Sequence, residues 1–222
     1  MTEIVLASNN RKKIAELETL LEKNASNKVS VKTLKDIGYT DEIVEDGDSF
    51  EENSLIKASA PASLGYIGIA DDSGLCVDYL NGRPGIYSAR YSGEGATDES
   101  NREKLLLELD GAENRGAEFV CTASLVLPEN SEFVIPEKWR ISAELSEKTG
   151  ISRERAMVVR GICRGRILTE EHGNGGFGYD PLFYYDDFGA TFAEIPQEKK
   201  NSVSHRGQAM SEFIEKLSEI LA

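Results

Sequence analysis

Phe119, Cys121, Ala123, Leu125 and Leu127 occupy every second position of residues 117–127. Only a strand has that period, so this segment is read as a long strand with one buried face. Residues 156–168 (AMVVRGICRGRIL) read as its partner in a hairpin. Shorter apolar runs at 3–7 (EIVLA), 29–34 (VSVKTL), 66–70 (YIGIA), 75–80 and 181–185 read as further strands. Helices fall between them. Asn9 or Asn10 can cap one that carries Ile14, Leu17, Leu20 and Leu21 on one face. Ser49 and Glu52 have capping-box spacing, and Pro61 is expected to kink or end the helix they open. Thr97 caps a helix carrying Leu105, Leu106 and Leu109, which Gly111 closes. The last helix starts near Ser204 and buries Met210, Phe213, Ile214, Leu217, Ile220 and Leu221. Strands and helices mixed in this order predict one α/β domain, in two lobes.

Lys and Arg number 25 and Asp and Glu 39, a net charge of −14. That balance argues against a nucleic-acid coat or an anionic membrane surface, since both require a basic face. It leaves room for a small anionic substrate held by a few local cations. Cys76, Cys121 and Cys163 are odd in number and far apart, which suits a reducing compartment and no disulfide framework. MTEIVLASNN lacks the pattern of a signal peptide and no stretch is apolar enough for a membrane span, so a cytoplasmic chain is expected.

Three features carry chemistry, each with a plainer alternative. The first helix opens Asn10-Arg11-Lys12-Lys13 and the last opens His205-Arg206. Cations are misplaced at a helix start, which already carries about half a positive charge. They are solvated surface charge, or they mark bound anions, as phosphate sites at helix N-termini do. Asp71-Asp72 follow an apolar strand and precede Ser73-Gly74. Carboxylates at a strand end can hold Mg²⁺ and activate water; the same tetrapeptide is also turn chemistry. In residues 173–181 (GNGGFGYDP) the glycines permit close backbone approach, and Phe177 and Tyr179 offer faces for a base. A mobile glycine loop is the alternative.

Residues 8–16 (SNNRKKIAE), 50–53 (FEEN), 70–75 (ADDSGL), 81–91 (NGRPGIYSARY), 177–181 (FGYDP) and 204–209 (SHRGQA) together closely resemble the inosine/xanthosine triphosphate pyrophosphatase family. The match runs in the family's order from residue 3 to the C-terminus. The resemblance implies a single domain over 1–222 that hydrolyses ITP, dITP and XTP to the monophosphate and pyrophosphate with Mg²⁺. It implies an elongated α/β fold of two lobes around a mixed β-sheet, an active-site cleft between the lobes, and a homodimer. Ser8, Asn9, Asn10, Arg11, Lys12 and Lys13 match the family's phosphate-binding turn. Glu52 and Asp72 match its metal ligands, Asp72 also its general base, and Ser73 a substrate contact. Phe177, Gly178, Tyr179 and Asp180 match the base-recognition segment. Lys200, His205 and Arg206 match the remaining nucleotide contacts.

Two features depart from that pattern. Pro61 interrupts a helix expected to be regular. Residues 129–156 look like a helical insertion in the hairpin, and 142–152 (SAELSEKTGIS) resemble a helix–turn–helix. A DNA- or partner-binding protein acting through this segment is therefore the alternative reading, although a helix–turn–helix needs a third helix and a basic face.

Overall fold

The computed structural model describes residues 2–8, 14 and 29–222. The helix expected after Asn9 or Asn10, with Leu17, Leu20 and Leu21, lies outside them, apart from helical Ile14. Seven strands form one mixed sheet. They are β1 (Thr2–Leu6), β2 (Val29–Thr33), β3 (Ile67–Val77), β4 (Gly116–Val126), β5 (Ala156–Ile167), β6 (Phe183–Tyr185) and β7 (Ala190–Thr191), in the order β2-β1-β3-β4-β5-β6-β7. β1 runs parallel to β2 and β3, with Ile4 opposite both Val31 and Ile67. β5 and β6, and β6 and β7, are antiparallel. The Leu127 N–H donates to the Arg155 carbonyl at one end of the β4–β5 pair, and the Ile167 N–H to the Arg115 carbonyl at the other, so these strands are the expected hairpin. Five helices complete the fold among the described residues: α1 (Phe50–Ser63), α2 (Asp98–Glu108), α3 (Ala143–Thr149), α4 (Gln197–Val203) and α5 (His205–Ile220).

The chain divides into two compact units. The first holds residues 1–72, 122–160 and 209–222, the second 73–121 and 161–208. In the first unit the sheet is buried on both faces. Ile4, Leu6, Ile69, Leu125 and Val159 pack with Met210, Phe213, Ile214 and Leu217 of α5. Val5, Ala70, Val126 and Ala156 pack with Leu55, Ala58 and Ala62 of α1. β4 therefore has two buried faces here, not the single one its alternation predicts. Thr122 and Ser124, which read as exposed, are buried because α1 supplies their partners. Thr122 Oγ1 donates to the Phe50 carbonyl at 2.9 Å, and the Ser54 and Ser124 hydroxyls pair at 2.6 Å. In the second unit Leu75, Val77, Phe119, Phe183 and Phe192 pack with Leu105 and Leu109 of α2.

Three local expectations are corrected. Asp71-Asp72-Ser73-Gly74 lies inside β3, which runs unbroken for 11 residues. Turn composition yields here because the flanking Ile67, Ile69, Leu75 and Val77 are all buried. Pro61 sits inside the last turn of α1, which ends only at Ser63. Residues 129–155 hold one α-helix, α3, preceded by a 3-10 turn (Glu137–Trp139); a second 3-10 turn (Arg153–Arg155) then leads straight into β5, with no second α-helix. Ile135 and Ile141 are fully buried, and Trp139 and Leu145 partly, so the segment packs onto its own unit.

α1 crosses β3 at Gly68, where an added Cβ would lie 1.9 Å from the Ala58 carbonyl oxygen. Gly68→Ala forces helix and strand apart. The expected loss is about 1–3 kcal/mol, or roughly 2–12 °C in Tm for a chain of this size. A thermal melt unchanged from wild type would refute the close approach.

Candidate active site

The carboxylates cluster in the first unit where α1 begins. Ser49 is the N-cap, and its Oγ accepts the Glu52 N–H at 3.2 Å, as the capping-box spacing predicts. The Glu52 side chain turns elsewhere. One oxygen accepts the Asp48 N–H at 2.8 Å, and the other lies 3.2 Å from Lys148 Nζ. Asn53 Oδ1 accepts the Gly47 N–H at 2.9 Å. Two side chains of α1 thus carry the backbone of the acidic loop before it. Burial pushes the Glu52 carboxyl up, but the Asp48 N–H, the Lys148 ammonium and the Ser49 hydroxyl outweigh it and hold the group below the ordinary glutamate range.

One turn further along α1, Lys57 Nζ lies 2.7 Å from Glu45 Oε2 and 2.8 Å from Asp72 Oδ1. The Lys57 and Asp72 side chains are only 13% and 15% exposed. Burial pulls the Lys57 ammonium down, and Asp72 and Glu45 more than offset this, so its pKa is raised. Lys57 is therefore protonated across the neutral range, a fixed cation between two carboxylates. Asp71 and Asp72 do not form a pair. Successive side chains of a strand point to opposite faces, and Asp72 shares with Ala70 the face covered by α1. The next residue, Ser73, has a buried hydroxyl with no hydrogen-bond partner among the described residues. A buried orphan hydroxyl carries a desolvation penalty that a bound ligand would relieve.

The role of Glu45 and Lys57 is not evident from sequence. A usable signal is the pair Asn53 and Lys57, polar at i and i+4 on one face of a helix, beside the apolar Leu55, Ile56 and Ala58. Ser8 follows β1 and is half-buried, while Asn9, Asn10, Arg11, Lys12 and Lys13 lie outside the described residues.

The second unit holds the glycine-rich segment. Gly176 and Gly178 have φ of +73° and +60°. An added Cβ on Gly176 would sit 2.1 Å from Asp180 Oδ2, so glycine is required there. Asp180 Oδ2 accepts the Phe177 N–H at 2.9 Å and meets Lys200 Nζ at 2.5 Å, with both charged residues buried. Lys200 Nζ also lies 4.9 Å from the Phe177 ring centroid and 5.3 Å from that of Phe192. Gly178 donates its N–H to Asp98 at 2.7 Å and accepts Arg102 Nη1 at 2.9 Å. Tyr179 is buried and donates its hydroxyl to the Ser88 carbonyl at 2.9 Å. Of the two aromatic candidates, Phe177 alone presents an open ring, 58% exposed. Asp180, Tyr179 and Lys200 shape the loop that displays it.

At the start of α5, Ser204 Oγ accepts the Gly207 N–H at 3.1 Å. The His205 ring stacks on Phe119 at 4.8 Å and 16°. A Cβ on Gly207 would fall 1.7 Å from the Asn201 carbonyl oxygen, so the turn between α4 and α5 is tight. It sets His205 and Arg206 on a rigid helix start.

Known proteins resemble this chain along nearly its whole length. The Ham1 family model matches residues 4–216. A dITP/XTP pyrophosphatase of Desulfotalea psychrophila is 44% identical over 219 residues, covering 98% of this chain and 86% of that protein. One from Geobacter sulfurreducens is 43% identical over 214 residues, covering 95% and 94%. Among solved structures, a HAM1 protein from Coxiella burnetii superposes with a TM-score of 0.83 at 36% identity, over 99% of this chain and 100% of that one. The Staphylococcus aureus Ham1 protein gives 0.81 at 36% identity, over 98% and 99%. With the family model, the sequence relatives and the fold in agreement along nearly the whole length, the chain belongs to the Ham1 family.

Proposed function

We propose that this protein hydrolyses non-standard purine nucleoside triphosphates, ITP, dITP and XTP, to the monophosphate and pyrophosphate. The observation that carries the reading is the Asp72 carboxylate, held with Glu45 on one buried ammonium; the next residue of the strand, Ser73, has a buried hydroxyl with no hydrogen-bond partner among the described residues. Hard oxygen donors that already share a cation suit Mg²⁺, which keeps several waters and takes only one or two protein carboxylates. Asp72 and Glu45 are the residues that would hold it. Glu52, already engaged by the Asp48 amide and Lys148, orders the loop that presents Glu45. When bound, the metal supplies positive charge to the phosphate oxygens.

In this reading a water attacks the α-phosphorus and Asp72 takes its proton. The bond from the α-phosphorus to the bridging oxygen breaks, and pyrophosphate leaves with the bonding electrons. Lys57 stays protonated and fixes the Asp72 side chain. Ser73, which follows Asp72 in β3, is proposed as a substrate contact. Phe177 stacks on the purine, an interaction that accepts any base, so specificity comes from the base edge. The Phe177 and Gly178 N–H groups are committed to Asp180 and Asp98. His205 and Arg206, which the family resemblance matches to nucleotide contacts, are proposed as the side chains that meet the oxygen at purine position 6. A homodimer and a cytoplasmic location belong to the same proposal.

Adenine presents an amino group where hypoxanthine presents that oxygen, which would leave a buried donor unpaired at a cost of about 1–3 kcal/mol. GTP keeps the oxygen and must be refused at its 2-amino group. Pyrophosphate release across a nucleotide panel tests this. ITP and XTP are expected to exceed ATP and GTP in kcat/KM by at least about 100-fold. Equal efficiency on ATP would overturn the substrate assignment.

A further inference from the structure

The segment between β4 and β5 has no part in the chemistry above, yet its helix reaches the acidic loop. Ile141 is buried against Leu55 and Ala58 of α1, with Leu145 and Ile151 partly so. Ser142 Oγ caps α3 by accepting the Leu145 N–H, and Gly150, at φ +70°, closes it. The Ser146 hydroxyl donates to the Ile151 carbonyl at 2.7 Å, and Arg153 Nε to the Ile141 carbonyl at 2.9 Å. α3 is thus a fixed platform with Lys148 near its end.

Lys148 Nζ lies 3.2 Å from Glu52 Oε1 and 3.5 Å from Glu144. Glu52 is buried, and its other oxygen accepts the Asp48 N–H. Three residues before Asp48, Glu45 meets Lys57 and, through it, Asp72. Residues 41–48 carry five carboxylates, Asp41, Glu42, Glu45, Asp46 and Asp48, and no regular structure. Their mutual repulsion opposes that placement. A buried carboxylate set among them without a counter-ion would add to the repulsion. We infer that Lys148 is a positioning residue: by neutralising Glu52 where it accepts the Asp48 amide, it holds Glu45 in place beside Lys57 and Asp72. This rests on the reading that Asp72 and Glu45 form the divalent-cation site.

Two measurements on the full chain test it. Amide exchange across residues 45–50 of the metal-free protein reads the loop alone, and Mn²⁺ titration without nucleotide reads the site. For Lys148→Met, loop exchange is expected to rise about fivefold and Mn²⁺ binding to weaken about fivefold, the upper end for an ion pair whose lysine stays half exposed. Lys148→Arg should hold both within about twofold, and Lys148→Met should add nothing in a Glu52→Gln background. Unchanged loop exchange in Lys148→Met, faster exchange spread over all of α1 and α3, or a full further effect in the Glu52→Gln background would each overturn the role. Glu45→Gln separates the two ideas. If that variant binds Mn²⁺ like wild type, the metal reading fails, while loop exchange still decides the role of Lys148.

Discussion

Asp72→Asn is expected to lower kcat for ITP by about 10²–10⁴-fold, the usual contribution of a general base, while the protein stays folded. Asparagine matches aspartate in size but cannot take a proton from the attacking water. It also removes a hard anionic oxygen from the proposed cation site, so a higher metal requirement should accompany the loss. The fold tolerates the change because Lys57 keeps Glu45 at 2.7 Å and is not left as an unpaired buried charge. Pyrophosphate release and a thermal melt of the same preparation check both halves. Wild-type turnover by Asp72→Asn would remove Asp72 from the chemistry. A collapse of the melt would make it a structural residue.

The second large effect concerns Asp180 and Lys200. They are 2% and 5% exposed and 2.5 Å apart, with the ammonium also facing two aromatic rings. Such a pair contributes little net stability, but removing one partner strands the other charge at a cost of about 3–5 kcal/mol. Asp180→Asn should therefore lower Tm by roughly 6–20 °C. It should also raise KM for ITP, because the Phe177 N–H loses its carboxylate acceptor. Asp180→Asn combined with Lys200→Met should recover much of the Tm, since no charge is then buried alone. The recovered variant should still bind substrate poorly, without the carboxylate that shapes the loop. If the single variant melts within about 2 °C of wild type, the pair has little structural weight.

Much of the scaffold is legible from local pattern. β4 is found to within about a residue at each end, because a period of two over more than ten residues admits no helical alternative, and β5 is found as its hairpin partner. The starts of α1, α2 and α5 follow from Ser49, Thr97 and Ser204, whose hydroxyls accept backbone N–H groups within three residues. These are interactions of near neighbours, and near neighbours are what a sequence displays. Asp72, Ser73 and Phe177 are legible as candidates for the same reason: each stands in a short, unusual string.

The partners of those candidates were not legible. Lys57 lies 15 residues from Asp72 and Glu45 lies 27, and no spacing rule joins a loop, a helix and a strand. Composition also misleads where burial overrides it. Asp-Asp-Ser-Gly has the residues of a turn, yet both flanks are buried in the sheet and the strand continues through it. Propensity, capping and periodicity act over a few residues, so the elements, their order and the chemical types available can be read along the chain. Which carboxylates share a cation, that Tyr179 is buried while Phe177 is displayed, and that Lys148 reaches Glu52 were decided only by tertiary structure. Those pairings depend on the close packing of α1 against β3 and of α3 against α1, which joins residues that no local rule connects.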